Sequence, residues 1–486
     1  MEKNKTILII INNAPNYYPF FSKVGEEFMK NGDKVVYAFD CHLPDVINYK
    51  HRVKNVPRYY FSDFFKDNFK SYVVPEYDKY KEYAKYNLYE AFVSDADRFF
   101  HSGLNRNVRS GYWMSLLPNL INFFDFICRK HNINCVLYEN VSNSFAYSSY
   151  LVAMNLNIDY IGLMEFRLLG YYTVIKNELT IQEGFRDKFN KVMNGDISLN
   201  DSLLQFARSY IKNKNNINTS LVDSLDTNYK KLSLKRYFSI NKIRLFISYI
   251  KYYIKYSNEL GYCYQVSNPI SYTIANVTRT LKRKYKLKSI NKKLIEKPDL
   301  NQKYYFYPLH YHPEASTSVL ASDYLDEASV ICNIAKNIPF GSFLYVKEHP
   351  SAVGLNDKRF YRLLSYVPNV ILVSHKYCTK NLIKKSIGII TLTGTVGFEA
   401  LLMGKPVYVL GETEYLFHPN AFKLNSFSDI PDMLKKPYTS GLELDRVNEI
   451  FICILKGSLH KGDLNSFRNL DIVEDVVNSV IEKISI

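Results

Sequence analysis

The run Ile390-Thr391-Leu392-Thr393-Gly394-Thr395-Val396-Gly397-Phe398-Glu399-Ala400 joins an apolar stretch to a helical one through two threonines and a glycine. A buried strand that turns straight into a helix leaves backbone N–H groups and two hydroxyls at the helix N-terminus. There the unpaired N–H groups and the helix dipole both favour an anion, so the chemistry on offer is phosphate or carboxylate binding. Gly394 and Gly397 allow the backbone to come close to such a ligand. The plainer alternative is that Thr393 or Thr395 simply caps the helix. Glu399, inside the helix, offers a carboxylate to ribose-type hydroxyls or serves only the helix surface.

Other reactive residues also follow apolar runs. Lys347-Glu348-His349-Pro350 comes after Phe343 to Val346, and a histidine fixed by the next proline can donate to a phosphate oxygen and gain charge on protonation. His312-Pro313 and His418-Pro419 lack that strand-end position. The stretch Tyr307-Pro308-Leu309-His310-Tyr311-His312-Pro313-Glu314-Ala315-Ser316-Thr317 supplies two histidines, a carboxylate and hydroxyls in one loop. His310 and His312 lack a third metal ligand at a recognisable spacing, so no metal site is assigned. In the first half, carboxylates close strand-like runs at Asp40, at Glu139 beside Asn140, and at Glu165 near Arg167.

The elements that would position these residues alternate. Ile7 to Ile11, a helix through about Lys30 stopped by Gly32, and Lys34 to Phe39 form a βαβ unit. Residues 53 to 112 lack clean periodicity and are expected to be an irregular, partly helical insertion. The rhythm returns with a helix from Pro118 to His131, the strand Cys135 to Tyr138, a helix from Ser144 to Asn155 and the strand Tyr160 to Leu163. A second series has strands at Tyr304 to Tyr307, Phe343 to Val346, Val370 to Val373, Gly388 to Leu392 and Val407 to Leu410. Helices separate them, and a final helix spans Ile472 to Lys483. This predicts two doubly wound, Rossmann-like α/β domains facing a cleft, with ligands at the carboxyl ends of their strands. The expected boundaries are 1–175, a helical basic insertion over 176–300, 301–470, and a C-terminal helix over 471–486.

Composition agrees with two cores in 486 residues that are 47% hydrophobic. Seven scattered cysteines without a CxxC pair argue against a disulfide framework or thiolate zinc site and favour a reducing compartment. The apolar N-terminal run reads as a first strand rather than a signal peptide, and no uninterrupted segment reaches the ~18 residues of a membrane span. Between Lys230 and Lys297, 17 Lys or Arg face only Glu259 and Glu296, a net +15 of the chain's +16. With the rest near neutral, a nucleic-acid partner is not expected. The basic segment, interleaved with Tyr249, Tyr252, Tyr253 and Ile254, is either a surface for anionic lipid or a solvated linker.

Taken together, Lys347-Glu348-His349-Pro350, the Thr393-Gly394-Thr395 turn with Glu399 and Ala400, Gly404-Lys405-Pro406, and the Tyr307 to Thr317 loop resemble the bacterial capsule polysaccharide biosynthesis family. That family includes transferases of 3-deoxy-manno-octulosonic acid (Kdo). The resemblance covers residues 304 to 425 well, 1 to 175 loosely and 176 to 300 hardly at all. The His-Pro and Ser/Thr order is also similar to GT-B sialyltransferases, where the two motifs hold a CMP-activated sugar. The acidic-acidic-Gly triplet of those enzymes is replaced by Gln182-Glu183-Gly184.

The resemblance implies a GT-B-like transferase with the acceptor on the first domain and a CMP-linked ulosonic acid on the second. Lys347, His349, Pro350, Thr393, Gly394, Thr395, Glu399, Tyr307, His310, Glu314 and Ser316 would form the donor site. Glu139 would be the catalytic carboxylate, with Glu165 and Asp40 in reserve. No cofactor beyond the donor and no metal is expected. The expected partners are a nucleotide sugar, a glycan or glycolipid acceptor, and an anionic membrane surface touched by a cytoplasmic protein. The same scaffold would also serve a UDP-sugar 2-epimerase or a CDP-polyol phosphotransferase, and the basic segment would serve a non-enzymatic membrane adaptor.

Overall fold

A computed structural model describes residues 4–14, 16–69, 77–83, 85–102, 110–180, 184–213, 239–265, 268–290 and 294–485. Gln182-Glu183 and parts of the basic segment lie outside these residues. The chain divides into two compact units. One comprises Met1–Leu179, Leu234–Thr278 and His460–Ile486; the other comprises Thr180–Ser233 and Arg279–Leu459. The stretch expected to be a separate insertion is therefore shared between the units, and the C-terminal helix belongs to the first.

The first unit is built on β1 (Thr6–Ile11), β2 (Lys34–Phe39), β3 (Arg58–Tyr60), β4 (Cys135–Glu139), β5 (Asp159–Glu165) and β6 (Tyr171–Lys176). Its sheet order is β6-β5-β4-β1-β2-β3, with a short β13 (His460–Lys461) beyond β6. The pairs from β5 to β3 are parallel, whereas β6 is antiparallel to both neighbours. Continuous apolar runs such as Ile7 to Ile11 are what strands covered on both faces require. Helix Tyr17–Lys30 covers one face, and Val473, Val476, Val477 and Val480 of helix Val473–Ser485 join the same core as Phe20, Phe21 and Phe28.

Several expectations change here. The segment expected to be irregular and partly helical holds the helices Phe61–Asn68 and Leu88–Ser102 but also contributes the strand β3. The helix expected to begin at Pro118 begins at Ser110 and carries that proline internally. Proline lacks one N–H and crowds the preceding turn, which marks a helix start only as a preference that surrounding packing overrides.

The second unit holds β7 (Tyr304–Pro308), β8 (Phe343–Lys347), β9 (Val370–Val373), β10 (Gly388–Thr391), β11 (Val407–Val409) and β12 (Ala421–Lys423). They are all parallel, in the order β12-β11-β10-β7-β8-β9. Tyr307, Val346, Ile390 and Leu410 lie in one core with Val330, Ile331 and Ile334 of helix Glu327–Asn337.

Both orders reverse direction once. In the first sheet β2 and β4 lie on opposite sides of β1, and in the second β8 and β10 lie on opposite sides of β7. The crevice outside the carboxyl ends of the strands at such a reversal is where open α/β sheets bind ligands.

Candidate functional site

At the reversal of the second sheet, the chain leaving β7 meets the turn leaving β10. His310 Nδ1 lies 2.8 Å from Glu327 Oε1, and its Nε2 lies 3.1 Å from Thr391 Oγ1. Glu327 also accepts the Tyr307 hydroxyl at 2.9 Å and the His310 backbone N–H at 3.1 Å, and its Oε2 lies 3.5 Å from His312 Nε2. Burial works to raise the Glu327 pKa, but hydrogen bonds and charge from His310 and His312 outweigh it and bring it to about 2. The Glu327 carboxylate accepts the Nδ1–H, and Nε2 pairs with the Thr391 hydroxyl. Thr391 Oγ1 in turn accepts the Gly394 N–H at 3.1 Å. Glu327 thus organises the turn through His310 and Thr391 without belonging to it.

The turn is packed rather than open. A β-carbon at Gly394 would lie 2.9 Å from Thr391 Oγ1 and 3.2 Å from His310 Nε2. One at Gly397 would lie 2.5 Å from the Tyr415 hydroxyl, which donates to the Gly394 carbonyl at 2.9 Å. Gly397, expected to admit a ligand, instead admits Tyr415. Gly394 is the N-cap of helix Thr395–Leu402, and Thr393 Oγ1 donates to the Ser316 carbonyl at 2.9 Å, so neither threonine occupies the cap position. A helix N-terminus carries the positive end of the helix dipole, which favours an anion.

The strand order separates His349 from the Thr393-Gly394-Thr395 turn, because β7 lies between β8 and β10. His310 occupies the intervening position. Burial, then the charge of His310, pushes His349 down to about 4, so it is neutral at neutral pH instead of adding charge. The Ser351 N–H lies 3.2 Å from His349 Nδ1, which leaves the proton on Nε2 as a donor. Lys347 turns to Thr379 Oγ1 at 2.6 Å, and Pro350 follows in a turn.

The remaining expected donor-site residues play mixed parts. Tyr307 is fully buried and serves Glu327. Glu314 is the N-cap of the short helix Ala315–Ser318, paired with Thr317 in a capping box, and Ser316 bonds to it at 3.3 Å. Glu399 is buried, and its charge joins burial in holding up the pKa of Tyr210, a residue of helix Asp201–Lys212.

In the first unit, Glu139 ends β4 at the sheet reversal beside β1. Its carboxylate accepts the Tyr17 hydroxyl and, at 2.7 Å, that of Ser142. Glu165 ends β5, is raised by burial, and accepts the Ser466 N–H at 2.5 Å, anchoring a neighbouring loop. Asp40 is wholly buried and pushed up to about 7 by that burial; its Oδ2 accepts Asn13 at 3.0 Å.

Residues 242–418 match the family model described as capsule polysaccharide biosynthesis protein. That stretch contains His310, Glu327, His349 and the Thr393-Gly394-Thr395 turn. No curated protein matches. Among solved structures, the Thermosulfurimonas dismutans KpsC beta Kdo 2,7 transferase is 10% identical, with 74% of this chain and 89% of that chain covered and a TM-score of 0.32. A glycosyltransferase from Rickettsia africae is 11% identical over 99% of each chain, TM-score 0.27. The UDP-GlcNAc 2-epimerase of Neisseria meningitidis is 12% identical over 98% of this chain and 100% of its own, TM-score 0.24.

Proposed function

We propose that this chain is a glycosyltransferase of capsule or related surface polysaccharide synthesis. In this reading it transfers an ulosonic acid, such as Kdo or a nonulosonic acid, from a CMP-activated donor to a glycan or glycolipid. The observation that carries the reading is the ordered reversal point of the second sheet, where the Glu327–His310–Thr391 chain holds the Gly394 turn inside the family-matched stretch. A CMP-ulosonic donor carries one phosphate and one carboxylate. The helix N-terminus at Thr395 and the His349 Nε2–H, on either side of His310, are two modest anion holders of that kind. A rigid, prearranged set of donors stabilises charge on a leaving phosphate without reorganisation. Glu139 takes the acceptor proton.

The first test is a thermal shift with CMP, UDP and GDP, followed by product analysis with the corresponding sugars. Stabilisation by CMP and a glycosidic product are expected. Stabilisation by UDP alone, with an epimerised sugar, or transfer of a polyol phosphate, would replace the reading with another enzyme class.

The helix Ile240–Lys255 supports contact with an anionic membrane. Ile240, Ile243, Ile247, Ile250 and Ile254 recur at intervals of three and four and are 69%, 48%, 48%, 36% and 73% exposed. At helical periodicity they form one apolar stripe, flanked by Lys242 on one side and Arg244, Lys251 and Lys255 on the other. The helix contains no acidic residue. Its opposite side is anchored by Tyr252, fully buried beside Cys41, Leu43 and Cys263. No helix of the described residues is long and apolar enough to cross a membrane, so a surface-lying contact fits this element.

A further inference from the structure

Beyond β2, the first unit gathers a set of donors that the transferase reading does not use. His42 follows the strand end, Asp63 lies in helix Phe61–Asn68, and Glu259 lies in the turn Ser257–Glu259. The His42 ring is held between Tyr60, with centroids 3.6 Å apart and planes at 21°, and Tyr256, at 4.5 Å and 13°. Its Nε2 lies 2.9 Å from Asp63 Oδ2 and 3.9 Å from Glu259 Oε1, and the three donor atoms all fall within 4.8 Å of one another.

The Glu259 carboxylate separates this cluster from an ordinary ion pair. The residue is 4% exposed, and Ser62 donates to its Oε2 at 2.6 Å. Its Oε1 is buried, directed at the His42 side, and has no hydrogen-bond partner. A His42–Asp63 pair would be complete by itself and would leave that oxygen dry, a costly arrangement for a buried polar atom. Asp63 has a side chain 53% exposed and gives the cluster an opening to solvent. Lys66, one turn along from Asp63, and the buried Asp40 are the other charges felt by this group.

We propose that His42 Nε2, Asp63 Oδ2 and Glu259 Oε1 bind a divalent first-row transition metal ion. One imidazole nitrogen and two carboxylate oxygens suit Zn²⁺ or Mn²⁺, whose ligands sit at about 2.0 to 2.2 Å. Donors spaced as these are surround one such centre after small side-chain rotations. The three residues occupy one face of the ion and leave water positions on the Asp63 side. Bound there, the ion joins three segments distant in sequence at the end of β2 and satisfies the Glu259 oxygen. No step of the transfer reaction is routed through it.

The test uses the full chain, stripped with a chelator and titrated with Zn²⁺ and with Mn²⁺ by calorimetry and thermal shift, and with Co²⁺ by visible absorption. One ion per chain, a rise in melting temperature and a ligand-field spectrum are expected. His42→Ala and Glu259→Gln should each weaken binding at least tenfold and erase the cobalt spectrum. Asp63→Asn, at a half-exposed position, keeps the fold while weakening binding, and so guards against variants that merely unfold. Absence of stoichiometric binding of any of the three ions by the wild type overturns the proposal. Equally strong binding by a folded Asp63→Asn and His42→Ala does so too, and leaves the cluster as a plain ion pair.

Discussion

His310 Nε2 lies 3.1 Å from Thr391 Oγ1, which makes the loop after β7 and the turn after β10 one hydrogen-bonded unit. Thr391 is fully buried, so its hydroxyl reaches no substrate and acts only by holding His310 and the Gly394 N–H. Thr391→Val keeps the shape and leaves two buried groups without that partner. We predict a loss of about 1 to 3 kcal/mol in stability and a roughly tenfold weaker CMP affinity, as a 1.4 kcal/mol effect gives. Thr391→Ser should restore both. Chemical denaturation and calorimetry check this, and unchanged CMP affinity in the valine variant would remove the turn from the donor site.

Glu139→Gln separates chemistry from donor binding. The amide keeps the shape and one accepting oxygen, so one of the Tyr17 and Ser142 hydroxyls turns to accept from the new NH2, and the side chain does not take a proton. Turnover should fall about 10²- to 10⁴-fold with nucleotide affinity nearly intact. Ordinary turnover would transfer the role to another carboxylate. Asp40 is the weaker reserve because it is sealed from solvent, and Glu165 because its Oε1 is committed to Ser466.

Opposite pH dependences should appear within the second unit. His418 is buried, its Nε2 lies 3.1 Å from Asn448 Oδ1, and burial brings its pKa to about 4. The folded state therefore binds fewer protons than the unfolded chain below an ordinary histidine pKa of about 6.5. Its contribution is intact above that value and falls as pH drops toward 4, by roughly 3 kcal/mol at most. Glu348 has the reverse sign: burial raises it to about 7 despite the Tyr361 hydroxyl at 2.5 and 2.6 Å. Its contribution is present below the unfolded carboxyl pKa and is lost as pH rises through 7. Glu348→Gln should therefore gain stability over wild type at pH 8, and His418→Gln should lose less than wild type on acidification. Hydrogen exchange of helices Lys358–Leu364 and Gly441–Lys456 across pH 4.5 to 8 reports each; a parallel profile in wild type and variant contradicts the assignment.

Local pattern made much of this site legible. The strands ending near Tyr307, Val346 and Leu392 read clearly because buried parallel strands are continuous apolar runs, and the polar residues that follow stand out. The order of those strands leaves no local trace, so the placing of His310 between His349 and Thr393 was not readable. Glu327 was hidden because an acidic residue in the first turn of a helix is commonplace, and its partners lie 17 residues earlier at His310 and 20 earlier at Tyr307. The role of Gly397 depends on Tyr415, which arrives from the loop after β11. β3 and β13, three and two residues long, are too short and polar to announce themselves as strands.

The helix Ile240–Lys255 yields the last prediction. Its exposed isoleucine stripe and flanking cations should bind vesicles containing anionic lipid and release them as salt rises, since screening shortens to ~3 Å at 1 M. Each cation near such a surface contributes about 1 kcal/mol, so charge alone makes four cations substantial but salt-sensitive. The isoleucines add a part that salt does not remove. Ile243→Ser with Ile247→Ser should then weaken vesicle binding at every salt concentration, whereas Lys251→Gln with Lys255→Gln should weaken it chiefly at low salt. Neither pair lies among the donor-site residues, so CMP affinity in solution should stay unchanged in both. Co-sedimentation with anionic and neutral vesicles checks the first point, and sedimentation velocity tests whether the stripe instead joins two copies of the chain. Equal binding to both vesicle types, or a mass that doubles with concentration and returns to one copy in the serine variant, would assign this face to something other than an anionic membrane.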